Sequence, residues 1–266
     1  MKRSLLAICF CILTVLGMTA QNPSLSGWQN NYTGSHEQTN VFVDVHSIIG
    51  ESDNPDTRTL FSANGFEIAA FIDGEIRYLQ YVPQTGDSNI LVLRVGGKSG
   101  QDEGKPITVK ICDYSTGLIY EMTQMTPDVN VAWVDDQTTI GTSNAPVVYA
   151  IRQLSANDVL VDWNPDMTYS YKEGESFNIP ENLSIQLGSP TAVAAPNPKF
   201  KMPENTFTWE ATPASLAGHC RITGDTFTAL TAIVDGMLGL KWTYGTLTGE
   251  LRPRIAVTQI VFHFSL

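Results

Sequence analysis

Three carboxylates and an arginine lie close together in one short segment of this chain. Glu67, Asp73 and Glu75 resemble the acids of a glycoside hydrolase, which must face each other across a cleft. Asp73-Gly74 is also the pair that a two-residue type I′ hairpin turn favours, because both central residues take a positive φ. Arg77 follows Glu75 by two residues, on the same face of a strand, where the two charges can pair. We therefore interpret these acids as parts of a hairpin and not as a catalytic pair.

Other catalytic patterns are incomplete. The segment His36–Asn40 ends in Asn where a zinc protease needs its second His, and it leads into a strand instead of a helix. Gly97-Lys98-Ser99 lacks the upstream glycine of a P-loop, because that position is Val92. His219 and Cys220 are adjacent in a strand, so their side chains point to opposite faces. The sequence therefore predicts a protein that is not an enzyme.

The most credible cofactor is calcium. Glu51, Asp53, Asn54 and Asp56 place several oxygen atoms in one short loop, and Ca²⁺ takes six to eight oxygen ligands. The spacing fits no EF-hand, so a solvated acidic loop is the alternative.

A carbohydrate site is predicted around three aromatic residues. Tyr169 and Tyr171 share one strand face, and Trp163 precedes them in polar surroundings. Rings of this kind can stack on sugar faces, although packing in the core accounts for most Trp residues in β-sandwiches.

The first twenty residues are typical of a signal peptide. A basic start at Lys2 and Arg3 precedes an apolar run from Leu5 to Leu16, which is too short to span a bilayer, and small Ala20 precedes the cleavage point. Cleavage removes no acid and leaves 14 basic and 27 acidic residues, a net charge of −13. Because a surface this acidic repels phosphate backbones, we expect no nucleic-acid partner. We also expect no membrane span.

Only Cys112 and Cys220 remain after this cleavage. An oxidising compartment permits one disulfide between them, but they lie in different predicted domains. Two buried free thiols are therefore the favoured interpretation.

The remaining sequence predicts an all-β protein of two consecutive antiparallel β-sandwiches. Alternate residues share one strand face in two segments: Val41, Val43 and Val45 in the first, and Leu238, Leu240, Trp242 and Tyr244 in the second. Turn clusters separate such runs, and no window outside the signal peptide has a helical period. After the signal peptide (residues 1–20), we predict one domain over residues 25–152 and a second, immunoglobulin-like domain over 153–266.

Three segments of the first domain form a recurrent pattern. They are Trp28 and Tyr32 before the strand at Val41, Glu67–Arg77 with its Ala-Ala-Phe and Gly-Glu-x-Arg, and Lys110–Tyr120 with its Asp113 and Thr116-Gly117. On these residues the domain resembles, over residues 28–150, a module that recurs in exported proteins of anaerobic, gut-type Gram-negative bacteria. The resemblance implies a cell-surface or secreted β-sandwich with no established chemistry.

The second domain resembles a group-2 bacterial immunoglobulin-like domain of the kind found in adhesins. Phe207–Ala211 and Cys220–Leu230 carry the resemblance, whereas Met237–Trp242 is heavier and more aromatic than the family's pattern.

Together these observations predict an exported, non-catalytic binding or adhesion module in the periplasm, at the outer surface or outside the cell. Its partner would be a surface protein or a glycan. The alternatives are a glycan-binding accessory protein for polysaccharide capture and, less favoured, a hydrolase.

Overall fold

β-Strands dominate the computed structural model of this chain, which describes residues 24–32, 37–48, 58–59, 65–83, 90–135, 138–188 and 200–260. The helical elements in these ranges are short 3₁₀ segments at Ala156–Asp158, Pro180–Asn182 and Ala214–His219. The predicted all-β class is confirmed.

The N-terminal half, which ends at Arg152, has two sheets. Its strands in the described ranges are β1 (Gln38–Ile48), β2 (Arg58–Thr59), β3 (Phe66–Ile72), β4 (Glu75–Val82), β5 (Ile90–Gly96), β6 (Thr108–Asp113), β7 (Leu118–Glu121), β8 (Thr123–Gln124), β9 (Thr139–Ile140) and β10 (Val147–Arg152). One sheet has the order β2-β1-β10-β8, with β5 and β9 also paired to β1. The other has the order β4-β3-β6-β7.

Strand β1 is the centre of the first sheet. Val41, Val43 and Val45 are fully buried, and the residues between them are partly exposed. The predicted alternation is therefore confirmed. β1 pairs antiparallel with β5 but parallel with β9 and β10. The sequence did not predict the parallel pairs, because a strand alternates with the same period in both kinds of ladder.

Strand β3 is buried along its whole length. Phe66, Ile68, Ala70 and Ile72 join the hydrophobic core between the two sheets. Glu67, like Phe71, lies on the opposite face, and residues 24–32 run across that face. We call residues 24–32 the N-terminal strap.

The C-terminal half consists of short strands in four small sheets. These strands are β11 (Val159–Trp163), β12 (Ser170–Lys172), β13 (Ser176–Asn178), β14 (Leu183–Leu187), β15 (Thr208–Thr212), β16 (Cys220–Thr223), β17 (Thr226–Ala229), β18 (Gly239–Tyr244), β19 (Leu247–Glu250) and β20 (Ala256–Thr258). The sheets are β11-β14, β12-β20, β13-β17-β16 and β15-β18-β19. Only β12 and β20 pair in parallel among the described strands of this half.

The aromatic face predicted for β15 and β18 is buried. Phe207 stacks on Tyr244 with ring centroids 4.5 Å apart and on Trp209 at 5.7 Å. Trp242 meets Phe207 edge to face at 5.9 Å. These rings pack into the hydrophobic cluster, which accounts for the heavier, more aromatic side chains of this segment.

Every strand pair of the described residues stays within one half. The two halves nevertheless contribute to one continuous hydrophobic cluster. Backbone hydrogen bonds also join them, from Thr246 to Thr116 (2.7 Å) and from Glu204 to Ile119 (2.8 Å).

Candidate functional site

The Asp73-Gly74 pair forms the predicted turn between β3 and β4. Asp73 has φ 50° and Gly74 φ 78°, and Ile72 is paired with Glu75 across the hairpin. Asp73 is the one non-glycine residue with a positive φ in the described ranges. Its short polar side chain tolerates this conformation better than a branched one would, so the hairpin interpretation is confirmed.

Arg77 is the centre of a buried ion-pair cluster. Its Nη2 atom lies 3.0 Å from Oε2 of Glu75, as predicted, and 3.1 Å from Oδ2 of Asp102. The side chains of Arg77 and Asp102 are each 3% exposed. The Tyr32 ring covers the guanidinium, with its centroid 4.5 Å from Cζ. The charge of Arg77 is therefore compensated by two carboxylates and a π face.

Two lysines complete this cluster, and the first is Lys98, whose Nζ lies 3.3 Å from Oε2 of Glu75. Nζ of Lys105 lies 2.7 Å from Asp73 and 3.1 Å from Asp102, and hydrogen bonds to these two acids raise the pKa of Lys105. Burial alone would raise the pKa of Asp102. The Lys98 backbone N–H and the Lys105 and Arg77 charges outweigh it, so this pKa lies below its ordinary value. Asp73 and Glu75 thus both have ion-pair partners.

The third carboxylate, Glu67, fixes the N-terminal strap. It is buried, and its Oε2 accepts hydrogen bonds from the hydroxyls of Ser24 (2.9 Å) and Ser26 (2.5 Å). Further along the strap, the Trp28 ring meets Phe71 edge to face at 5.8 Å. The acidic residue, the phenylalanine and the arginine of the hairpin motif therefore bind the strap at successive points.

Asp113 organises the turn between β6 and β7. It accepts hydrogen bonds from the Ser115 backbone (2.9 Å), the Thr116 hydroxyl (3.0 Å) and the Gln153 amide (2.6 Å). Gly117 follows with φ 62°, and an added Cβ there would lie 2.8 Å from Thr246. The lack of a side chain at Gly117 therefore allows the turn to pack closely against Thr246 of the C-terminal half.

Asn205 of the C-terminal half holds this turn by both ends of its amide. Its Oδ1 accepts the Ile119 backbone N–H at 2.7 Å, and its Nδ2 donates to the Gly117 carbonyl at 3.1 Å. The adjacent Glu204 forms a two-oxygen ion pair with Lys110, at 2.7 and 2.9 Å. These contacts cover the outer edge of β7.

A cleft of about 410 Å³ lies beside this junction. Three parts of the chain line it: Leu25 of the strap, Gly117 of the turn, and Glu204, Asn205, Thr206, Thr208, Thr243, Gly245 and Thr246 of the C-terminal half. Thr208 and Thr243 are opposed across β15 and β18. The cleft is our candidate functional site, because its size is that of a small-ligand pocket.

The three aromatic residues of the predicted carbohydrate site cluster together. Trp163 is buried, its Nε1 donates to the Pro253 carbonyl, and its ring meets Tyr169 edge to face at 6.3 Å. Tyr171 stacks on Phe177 at 4.7 Å. Of the three, Tyr169 and Tyr171 are partly exposed.

The structure places both remaining cysteines in the interior and His46 beside an acid. Cys112 and Cys220 are buried free thiols, as predicted. Burial, followed by the nearby Glu67 and Asp113 charges, raises the pKa of Cys112 to about 12, which makes it a poor nucleophile. His46 lies 2.8 Å from Asp44 on β1.

The predicted calcium ligands Glu51, Asp53, Asn54 and Asp56 lie outside the described residues, as does His36. Within the described residues, no three acids, histidines or cysteines are grouped so that they could hold a metal ion. No helix in the described part of the chain is long and apolar enough to cross a membrane.

The sequence did not reveal the cleft or Asp102. Asp102 lies in a segment that the sequence indicated only as a turn. The close spacing of the charged residues Lys98, Asp102 and Lys105 was the one signal there. The threonines on β15 and β18 have ordinary strand composition, so nothing marked them in advance.

Comparisons with known proteins identify no relative. No family model matches the sequence, and no curated protein matches it. Two solved structures show a distant similarity. Extracellular domains 3–5 of Drosophila OTK share 9% identity and a TM-score of 0.22 over 85% of this chain and 66% of that one. Tandem Ig repeats of Dlar share 10% identity and a TM-score of 0.20 over 85% of this chain and 100% of that one.

Proposed function

We propose that this chain is an exported, non-catalytic binding module that engages a partner at the cell surface through the cleft between its halves. The observation that carries the proposal is the cleft itself, which three separate parts of the chain build together. Asp73 and Glu75 are occupied by ion pairs, so the nearest candidates for acid–base chemistry have structural roles.

A further part of the proposal is that residues 25–152 and 153–266 are two domains and that the first belongs to the exported module family it resembles. Strand pairing that stays within each half supports this division. Protease treatment of intact cells would establish whether the protein reaches the outer surface.

The cleft can be tested by filling it. Thr208→Tyr places a ring in the cleft, whereas Thr248→Tyr places one on the same sheet face, one strand beyond Thr243 and outside the cleft. We expect binding of the mature protein to isolated cell envelopes to be lost in the first variant and kept in the second. Equal binding by both variants would contradict the proposal.

Catalysis would also contradict it. If the mature protein hydrolysed a glycan or peptide panel above background and Glu75→Gln abolished that activity, the chain would be a hydrolase.

A glycan-binding accessory protein is the second candidate. The partial exposure of Tyr169 and Tyr171 and the hydroxyl-rich lining of the cleft favour it. On a glycan array, specific signals lost in Tyr169→Ala would place the ligand at the aromatic cluster. Trp163→Ala serves less well, because this residue is buried and its truncation leaves a cavity.

A further inference from the structure

Threonine is the commonest residue in the described lining of the cleft. Thr206, Thr208, Thr243 and Thr246 line it, and all four are exposed or partly exposed. A hydroxyl group both donates and accepts hydrogen bonds. The hydroxyls of a sugar also donate and accept. The threonine hydroxyls can therefore pair with them in either role.

Among the described residues of the lining, the one ionisable side chain is Glu204, and both of its oxygens pair with Lys110. No cation of the described lining is available to hold an anion, and the chain as a whole has a net charge of −11. An acidic ligand would meet repulsion without compensation. A basic ligand would find the one carboxylate of the described lining already paired with Lys110, so the ligand class that fits is neutral.

A peptide fits the cleft less well. Peptide recognition in grooves uses apolar anchors in pockets or the free edge of a sheet. Leu25 is the one large apolar residue of the described lining, and the edge of β7 beside the cleft is already covered by Glu204 and Asn205. The hydroxyl wall and one leucine suit a ligand with many hydroxyls and small apolar C–H faces.

The N-terminal strap fixes the apolar wall. Ser24 and Ser26 flank Leu25 in sequence, and both donate to the buried carboxylate of Glu67. Leu25 is therefore held in place on both sides, although it is itself 46% exposed.

Resting on the proposed function, we infer that the cleft binds a short segment of a neutral oligosaccharide, held by the threonine hydroxyls and packed against Leu25. Its volume of about 410 Å³ lies within the range of about 300–1,000 Å³ for small-ligand sites. Because both halves line the cleft, such a ligand bridges them.

The test is isothermal titration calorimetry on the mature full-length protein with neutral di- to tetrasaccharides of glucose, mannose, xylose and galactose. Oligogalacturonides of equal length serve as the acidic series. Thr208→Val and Thr243→Val remove one hydroxyl each and keep the branched shape that suits a strand. Thr248→Val is the matched control, since Thr248 is opposite Thr243 but outside the cleft.

We expect at least one neutral series to bind and the acidic series not to. Each cleft variant should weaken binding roughly three- to tenfold, as loss of one neutral hydrogen bond does, and Thr248→Val should not change it. Leu25→Ala should weaken binding as well, whereas Leu160→Ala, at an exposed leucine elsewhere, should not.

Three outcomes would overturn the inference: no binding of any neutral series, preference for the acidic series, or binding that the cleft variants leave unchanged. If any of these occurs while envelope binding is still lost in Thr208→Tyr, the proposed function stands and only the ligand class is wrong. If envelope binding is also insensitive to Thr208→Tyr, the cleft is not the binding site and both proposals fail.

Discussion

Nη2 of Arg77 lies 3.1 Å from Oδ2 of Asp102, and both side chains are almost completely buried. Asp102 also accepts the Lys98 backbone N–H at 2.8 Å. The hairpin that carries Arg77 is thereby joined to the loop between β5 and β6. Removal of one partner from a buried pair costs about 3–5 kcal/mol, and here Glu75 still faces Arg77, so the lower end of that range applies.

We therefore expect Asp102→Asn to lower the free energy of unfolding by about 3 kcal/mol at pH 7. Urea denaturation followed by tryptophan fluorescence measures this. Asp162→Asn, at an exposed position on β11, is the control and should stay close to wild type. A loss as small as that of the control would contradict the role of Asp102.

The same carboxylate predicts a pH dependence. Its pKa is lower in the folded protein than in the unfolded chain, where it is about 3.9. Its contribution to stability is present in full above that unfolded value and is lost as the pH falls through the folded one. Below about pH 4, wild type should therefore lose stability more steeply than Asp102→Asn. Parallel curves of unfolding free energy against pH would be the contrary result.

Gly74→Ala tests the turn of the hairpin. Gly74 has φ 78°, and an added Cβ would meet no atom within 4 Å, so the cost is backbone strain alone, about 1–2 kcal/mol. Thermal unfolding should show a lower Tm. Gly218→Ala also meets open space, without a positive φ, and should leave the Tm unchanged or slightly raised.

Asn205→Ala tests the junction of the two halves. The variant leaves the Ile119 N–H and the Gly117 carbonyl without the amide that binds both, at a cost of about 1–3 kcal/mol. We expect faster proteolysis near the turn and a lower unfolding free energy. Asn164→Ala removes an exposed hydrogen bond that the Asn164 side-chain amide donates within the C-terminal half. This variant should have a much smaller effect.

The thiols predict a simple labelling result. Cys112 and Cys220 are buried, and burial raises the pKa of both. At pH 8 the native mature protein should react slowly with a thiol reagent. In denaturant, two thiols per chain should react at once. Rapid reaction of the native protein, or a count of zero after unfolding, would show exposed thiols or a disulfide instead.

Calcium remains a prediction for the loop of Glu51, Asp53, Asn54 and Asp56. If the loop binds the ion in the folded state, the Tm should rise with Ca²⁺ and fall with a chelator. Asp53→Asn should abolish the shift. An unchanged Tm in wild type would dismiss the site.

The features predicted from the sequence are those set by neighbours along the chain. Alternation placed Val41, Val43 and Val45 inside, turn chemistry placed Asp73 at the hairpin, and a two-residue spacing paired Glu75 with Arg77. Each depends on contacts within a few residues.

The features that the sequence did not predict join distant residues. Arg77 pairs with Asp102 although the whole of β5 lies between them in the sequence. The strap meets β3 some forty residues further along the chain. Asn205 approaches Gly117 from the other half. Such contacts depend on how the sheets are stacked, which periodicity alone does not determine.

The central position of β1 determines the order of events when this chain folds. Val43 pairs with Leu91 and with Val147, and the latter is synthesised about a hundred residues later. The sheet cannot close until β10 reaches β1, so one edge of β1 stays without that partner even after β5 has paired with the other edge. Proteins dominated by such long-range pairing fold slowly and expose strands that aggregate. A chaperone that holds the N-terminal segment before β10 has paired should therefore raise the yield of folded protein.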